Sequence, residues 1–158
     1  MEFKASTHKF SHHEILQELE GLRTGRWITD LANTSALLMS RFEDINWVGF
    51  YLVYDDEPRT LWLGPFQGQP ACTKIPFEKG VCGAAARDKK TMRIKNVDEF
   101  PGHIVCDTRS KSEVVIPLIL NEKLLGVLDV DSASLNRFSA EDQIFFENVV
   151  KILITGPV

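Results

Sequence analysis

The chain predicts a single α+β domain, a central antiparallel sheet flanked by helices, on three observations. Its periodicities run from two helices through several strands, a short helix and further strands to a last helix, without an internal repeat or a linker. The two strongest strand patterns, Ser112 to Leu120 and Lys123 to Asp131, follow each other closely enough to form a hairpin. The 158 residues are 44% hydrophobic and 25% charged, a globular mix long enough to bury one core without disulfides or a structural metal. The expected domain covers residues 1–158, with a helical segment at 11–42 and a closing helix at about 139–154.

Each element has a local cause. Ser11 and Glu14 form a capping box, and Phe10 and Ile15 are placed as its hydrophobic staple. Ile15, Leu16, Leu19 and Leu22 continue that helix as a short apolar stripe, interrupted at Gly21. Trp27, Ile28, Leu31, Ser35, Leu38 and Phe42 recur every three or four residues, which is a second helix. Asn46 to Tyr54 changes to strand chemistry, Asp55-Asp56-Glu57-Pro58 turns the chain, and Thr60 to Leu63 returns beside it. Gly64 to Pro70, rich in Gly and Pro, reads as a bend rather than a continuing strand. A short strand is expected within Ala71 to Ile75. Gly80 to Ala86 reads as a tight turn into a helix of small residues able to lie close to a neighbour. Thr91 to Ile94 is a short strand, after which Lys95 to Lys111 shows no period. An irregular run of 17 residues inside a compact domain is usually functional. Ser139-Ala140-Glu141-Asp142 caps the last helix, which carries Ile144, Phe145, Val149 and Ile152.

Charge and composition exclude several classes. Eighteen basic against 22 acidic residues leave a net charge of −4, which argues against a nucleic-acid or anionic-membrane coat. The first ten residues lack the apolar core of a signal peptide, and no window approaches 18 apolar residues, so a cytoplasmic chain is expected. Three cysteines, Cys72, Cys82 and Cys106, are too few and too odd in number for a secreted framework, and should rest as thiols. Walker, dinucleotide-glycine and Gly-x-Ser-x-Gly motifs are absent from the sequence.

The last hairpin points to the chemistry. Val114, Ile116, Leu118 and Leu120 share one face with Leu124, Gly126, Leu128 and Val130, an apolar face that belongs in the core. The other face carries Glu113, Val115, Pro117 and Ile119, then Leu125, Val127, Asp129 and Asp131. Its three carboxylates gather at one end, with Asp129 and Asp131 about 7 Å apart along the strand. Glu113 reaches that end only if it opposes Asp131, which a three-residue loop, Asn121-Glu122-Lys123, arranges directly; a two-residue loop requires a bulge. One reading of the cluster is a wet sheet edge with turn-capping aspartates. The other is a pocket floor that receives a cation or an ammonium group, or supplies a proton. Trp47 and Tyr51 share a strand face, either as core or as a wall of that pocket.

The cysteines divide by setting. Cys82 follows Gly80 at a helix start, where backbone N–H groups favour a thiolate. Cys106 lies in the long loop between His103 and Arg109, both able to stabilise a thiolate, with Asp107 opposing them. Cys72 sits beside the Gly/Pro-rich bend. Cys72, Cys82, His103 and Cys106 also offer three sulfurs and a nitrogen to zinc, but without a close Cys-x-x-Cys pair.

The runs Asn46-Trp47-Val48-Gly49-Phe50-Tyr51 and Leu63-Gly64-Pro65-Phe66-Gln67-Gly68 resemble the free methionine-(R)-sulfoxide reductases. So do Ala71-Cys72, Gly80-Val81-Cys82-Gly83, Gly102-His103-Ile104-Val105-Cys106-Asp107, Lys111-Ser112-Glu113 and Gly126-Val127-Leu128-Asp129-Val130-Asp131-Ser132. The resemblance spans essentially the whole chain and implies a GAF fold. It implies Cys106 as nucleophile, with Cys72 and Cys82 in recycling or disulfide exchange and Cys72 favoured as the resolving residue. Glu113 or Asp131 is the implied proton donor, and Trp47, Tyr51, Glu113, Asp129 and Asp131 are the implied substrate contacts. It further implies free L-methionine-(R)-sulfoxide as substrate, no bound cofactor or metal, thioredoxin as reductant, and a homodimer. A non-enzymatic GAF sensor of a small ligand is one alternative, and it leaves the three cysteine positions unexplained; a structural redox-sensing dimer is another.

Overall fold

The structure, a computed structural model, describes residues 8–106 and 108–155. Two helices, α1 (His12–Leu22) and α2 (Trp27–Arg41), precede strands β1 (Trp47–Tyr54), β2 (Glu57–Gln67) and β3 (Lys74–Pro76). Then come α3 (Gly80–Asp88), β4 (Met92–Ile94), a single 3₁₀ turn at Val97–Glu99, β5 (Ser112–Leu120), β6 (Lys123–Ser132) and α4 (Ala140–Ile154). The sheet has the order β3-β2-β1-β6-β5-β4, and every pairing is antiparallel. Among the described residues no helix is long and apolar enough to cross a membrane.

Both capping boxes form: Ser11 Oγ accepts from Glu14 N, and Ser139 Oγ accepts from Asp142 N. α2 packs on β1 and β2, α4 on β5, and α1 on both of those helices. Their shared core takes Leu31, Leu38, Phe145, Phe146 and Val149 against Val48, Phe50, Val114, Ile116, Leu128 and Val130 of the sheet. Two stripe residues depart from expectation, Ile28 at 57% exposed and Ile144 at 58%. His12 is half-buried: it stacks on Phe145 with ring centroids 4.4 Å apart and pairs with Asp142 at 3.2 Å.

The opposite face of the sheet is covered by α3 and the long loop, which enclose a second core of Trp47, Tyr51, Val115 and Val127 with Ile75, Val81 and Ala85. Small residues are required there. A Cβ on Gly83 would lie 2.8 Å from the backbone oxygens of Pro76 and Phe77, so glycine lets α3 close onto β3 and lowers Cys82 over the sheet.

One strand reading is corrected, and an open choice of register is settled. β2 does not bend away at Gly64 but runs to Gln67. Gly49 pairs with Phe66 and Tyr51 with Leu63, so Phe50 opposes two residues, Gly64 and Pro65; the bulge accepts a proline that a regular ladder rejects. The β5–β6 connection is a two-residue turn, Asn121-Glu122, with Leu120 opposite Lys123 rather than Leu124. The register then shifts at Leu118/Ile119, where Leu118 pairs with Gly126 and Ile119 with Leu124, leaving Leu125 as the extra residue. Beyond that bulge Glu113 does oppose Asp131. The bulge also exchanges two side chains: Leu124 joins the loop-covered core and Leu125 packs with the helices, the reverse of strict alternation.

Candidate active site

Three rows of residues cross the middle of the sheet. Trp47, Asp131 and Glu113 lie side by side in the first, and Gly49, Asp129 and Val115 in the second. Tyr51, Val127 and Pro117 make the third. Alternation places all three rows on the face covered by α3 and the loop. Above them lies a small pocket of about 50 Å³ that opens to solvent. Cys82 and Val81 from α3, and His103, Ile104 and Cys106 from the loop, complete its walls.

The floor is not a wet sheet edge. Glu113 and Asp129 are each only 6% exposed, and Asp131 is half-buried. Burial, then the Asp129 charge, pushes the Glu113 carboxyl well above its ordinary range. Burial, then the charges of Asp129 and Glu113, does the same to Asp131. Asp129 is raised by burial, while the neighbouring Asp131, Glu113 and Cys82 side chains pull the other way. All three carboxyls are thus pushed upward by burial, and they titrate together as one group that holds protons above the ordinary carboxylate range. Asp129 Oδ1 is buried without a hydrogen-bond partner, an acceptor left facing the cavity.

The aromatic wall does more than fill space. Trp47 stacks between Tyr51 and Phe66, with ring centroids 5.9 and 5.3 Å away. Its Nε1 donates to Gln69 O at 3.0 Å, and the Tyr51 hydroxyl donates to Cys72 O at 3.1 Å. Burial, then Asp129 and Cys82, drives the Tyr51 phenol upward, so it stays a donor. Two side chains of the wall thus pin the segment that carries Cys72.

Cys72 and Cys106 are joined as a disulfide across 34 residues of sequence, with Cα atoms 5.4 Å apart. Two of the four ligands of the zinc quartet are thereby bonded to each other, and that quartet is not assembled. Cys82 is free and buried. Its reading as a helix-start thiolate fails, because burial, then the facing Asp129 and Glu113 carboxyls, pushes the thiol well up and outweighs the helix end. His103 lines the pocket beside Cys106, whereas Arg109 is exposed; Asp107 lies outside the described residues.

The structure thus brings Trp47, Tyr51, Cys82, Cys106, Glu113, Asp129 and Asp131 around one cavity, with Cys72 bonded at its wall. Residue patterns alone gave no role to Ile104, Ser110 or Phe66. Ser110 lines the pocket and its Oγ accepts from Asn46 Nδ2 at 3.1 Å, tying the loop to the head of β1. The one available signal for Phe66 was its place in the Leu63–Gly68 run.

Comparison with known proteins agrees with this arrangement. The GAF domain family matches residues 28–153. The free methionine-R-sulfoxide reductase of Escherichia coli strain K12 is 52% identical over 82% of this chain and 78% of its own length. That of Saccharomyces cerevisiae is 44% identical over 89% of this chain and 84% of its own. The X-ray structure of the free methionine-R-sulfoxide reductase from Neisseria meningitidis, in complex with its substrate, superposes with a TM-score of 0.87 at 41% identity. That match covers 97% of this chain and 92% of the other. The chain belongs to the free methionine-R-sulfoxide reductase family and is built as its GAF domain.

Proposed function

We propose that the protein reduces free L-methionine-(R)-S-oxide to L-methionine, with Cys106 as nucleophile and Cys72 as the resolving residue. The Cys72–Cys106 disulfide at the wall of a carboxyl-floored pocket is the observation that carries this reading. The Cys106 thiolate attacks the sulfoxide sulfur while Glu113 or Asp131, held protonated by its surroundings, protonates the sulfoxide oxygen. That oxygen passes to Cys106 as a sulfenic acid, and methionine leaves. The Cys72 thiol then attacks the sulfenic sulfur, forming the disulfide and releasing water. The balance is one sulfoxide and two thiols giving one thioether, one disulfide and one water. Thioredoxin, as a dithiol, restores both thiols by exchange.

Asp129 gives the selectivity. Its buried, unpartnered oxygen receives the ammonium of a free amino acid, which replaces its water by charge-assisted hydrogen bonds. The Trp47–Tyr51 wall takes the methylthio end. The (R) preference at sulfur is supported by the relatives, not by a contact in this pocket. A cytoplasmic homodimer is part of the same reading. A small-ligand sensor accounts for the cavity but gives the disulfide no purpose.

The test is kcat/KM for the free (R)-sulfoxide, its (S)-epimer and the N-acetylated (R) form, in wild type and in Asp129→Asn. Wild type favours the free form by roughly 10²-fold or more, and the variant loses most of that preference. Equal values for free and N-acetylated substrates in wild type contradict ammonium recognition.

A further inference from the structure

Cys82 is not needed for the attack or for the disulfide, yet it faces the pocket floor. We infer that Cys82, Glu113 and Asp129 form a binding site for a thiophilic divalent cation such as zinc. The three residues come from α3, β5 and β6, and one ligand atom of each lies within 4.8 Å of the other two. All three are buried. The independent sign of a missing ligand is Asp129 Oδ1, which is buried, lacks any hydrogen-bond partner and belongs to a side chain lining the cavity. A thiolate with two carboxylates is a borderline-soft donor set that suits zinc or cadmium and not magnesium or calcium. Tetrahedral zinc sets such ligands about 3.4–3.6 Å apart, from bond lengths of about 2.3 Å to sulfur and 2.1 Å to oxygen. Rotation of the two carboxylates closes the difference. The fourth position faces the cavity and remains open to water.

A cation here neutralises acidic groups that are otherwise expensive to bury. It also takes the Asp129 oxygen assigned above to the substrate ammonium, so cation and substrate exclude each other. Zinc is then a competitive inhibitor of reduction. The cation site itself rests on the pocket and not on sulfoxide turnover, so binding is measured without substrate.

The disulfide form of the protein isolates the site, because Cys82 is then its free thiol. Cadmium titrated into that form, in metal-free buffer, gives a thiolate-to-cadmium charge-transfer band that saturates at one equivalent and is bleached by zinc. Cys82→Ser abolishes the band. Asp129→Asn and Glu113→Gln, isosteric changes that keep the test decisive if Cys82→Ser does not fold, each weaken cadmium binding by at least about tenfold. No band, or a band indifferent to both carboxylate variants, overturns the site. A protein that binds no cadmium yet reduces the sulfoxide in chelator-treated buffer loses the cation site and keeps the activity. One that binds as stated without turnover supports the site and contradicts the activity.

Discussion

Cys106 and Cys72 have different duties in this chemistry, and substitution separates them. Cys106→Ser lowers methionine release by more than about a thousandfold even with dithiothreitol, because a hydroxyl cannot replace the thiolate at sulfur. Cys72→Ser keeps the first methionine release and loses thioredoxin-driven turnover; rapid-quench release beside steady-state assays reads both. The carboxyls make a second prediction at this scale. Glu113 and Asp131 have folded-state values raised well above their unfolded ones, by burial first and then by neighbouring charge. Stability from such groups is fully present below the unfolded values, about pH 4 to 4.5, and is lost as pH rises through the folded values. Glu113→Gln removes one of these groups. Its Tm therefore exceeds that of wild type by at least about 2 °C near pH 8, the gap narrows toward pH 5, and activity falls throughout. Thermal unfolding of the oxidised proteins across that range checks it, and a gap independent of pH would mean that Glu113 is ionised and paired.

At the scale of elements, the β5–β6 hairpin shows what the sequence disclosed and what it hid. Alternation correctly grouped Val114, Ile116, Leu118, Leu128 and Val130 on the core side, and Glu113, Val115, Val127 and Asp129 on the other. It left the turn open between two residues and three, because Asn121 and Glu122 adopt φ of 50° and 67°, and glutamate is a poor signal for a left-handed position. It tied a bulge to a two-residue turn but not to Leu125, so Leu124 and Leu125 were assigned to each other's faces. The starts of α1 and α4 were legible through their caps, whereas Ile28 and Ile144 were misread because an apolar residue beside the stripe looks like one within it. The pocket lining from the loop was hidden for a stronger reason: Ile104 and Ser110 reach it through irregular backbone that follows no period. The bulge depends on Gly126, where a Cβ would fall 2.1 Å from Tyr51 O. Gly126→Ala forces β1 and β6 apart and costs about 3 kcal/mol or more, a Tm drop of roughly 6–12 °C by calorimetry. An unchanged Tm would show that the strands separate there without penalty.

For the whole molecule, the disulfide is both a reaction product and a brace. Joining Cys72 to Cys106 closes a loop of 34 residues, which in the chain-entropy account removes roughly 3–4 kcal/mol of freedom from the unfolded state. The oxidised protein should melt about 10 °C above the reduced one, and equal melting points would place compensating strain in the folded form. The helical core lies on the far side of the sheet from the cysteines, so the redox step falls outside it. The central claim is that free methionine sulfoxide is reduced by these two cysteines, and a single turnover tests it most directly. Fully reduced protein is mixed with free L-methionine-(R)-sulfoxide without any reductant; released methionine and remaining thiols are counted, and the disulfide is located by peptide mass spectrometry. The account predicts one methionine and two thiols lost per chain, with Cys72 linked to Cys106. No methionine, methionine without thiol loss, or a disulfide through Cys82 contradicts it.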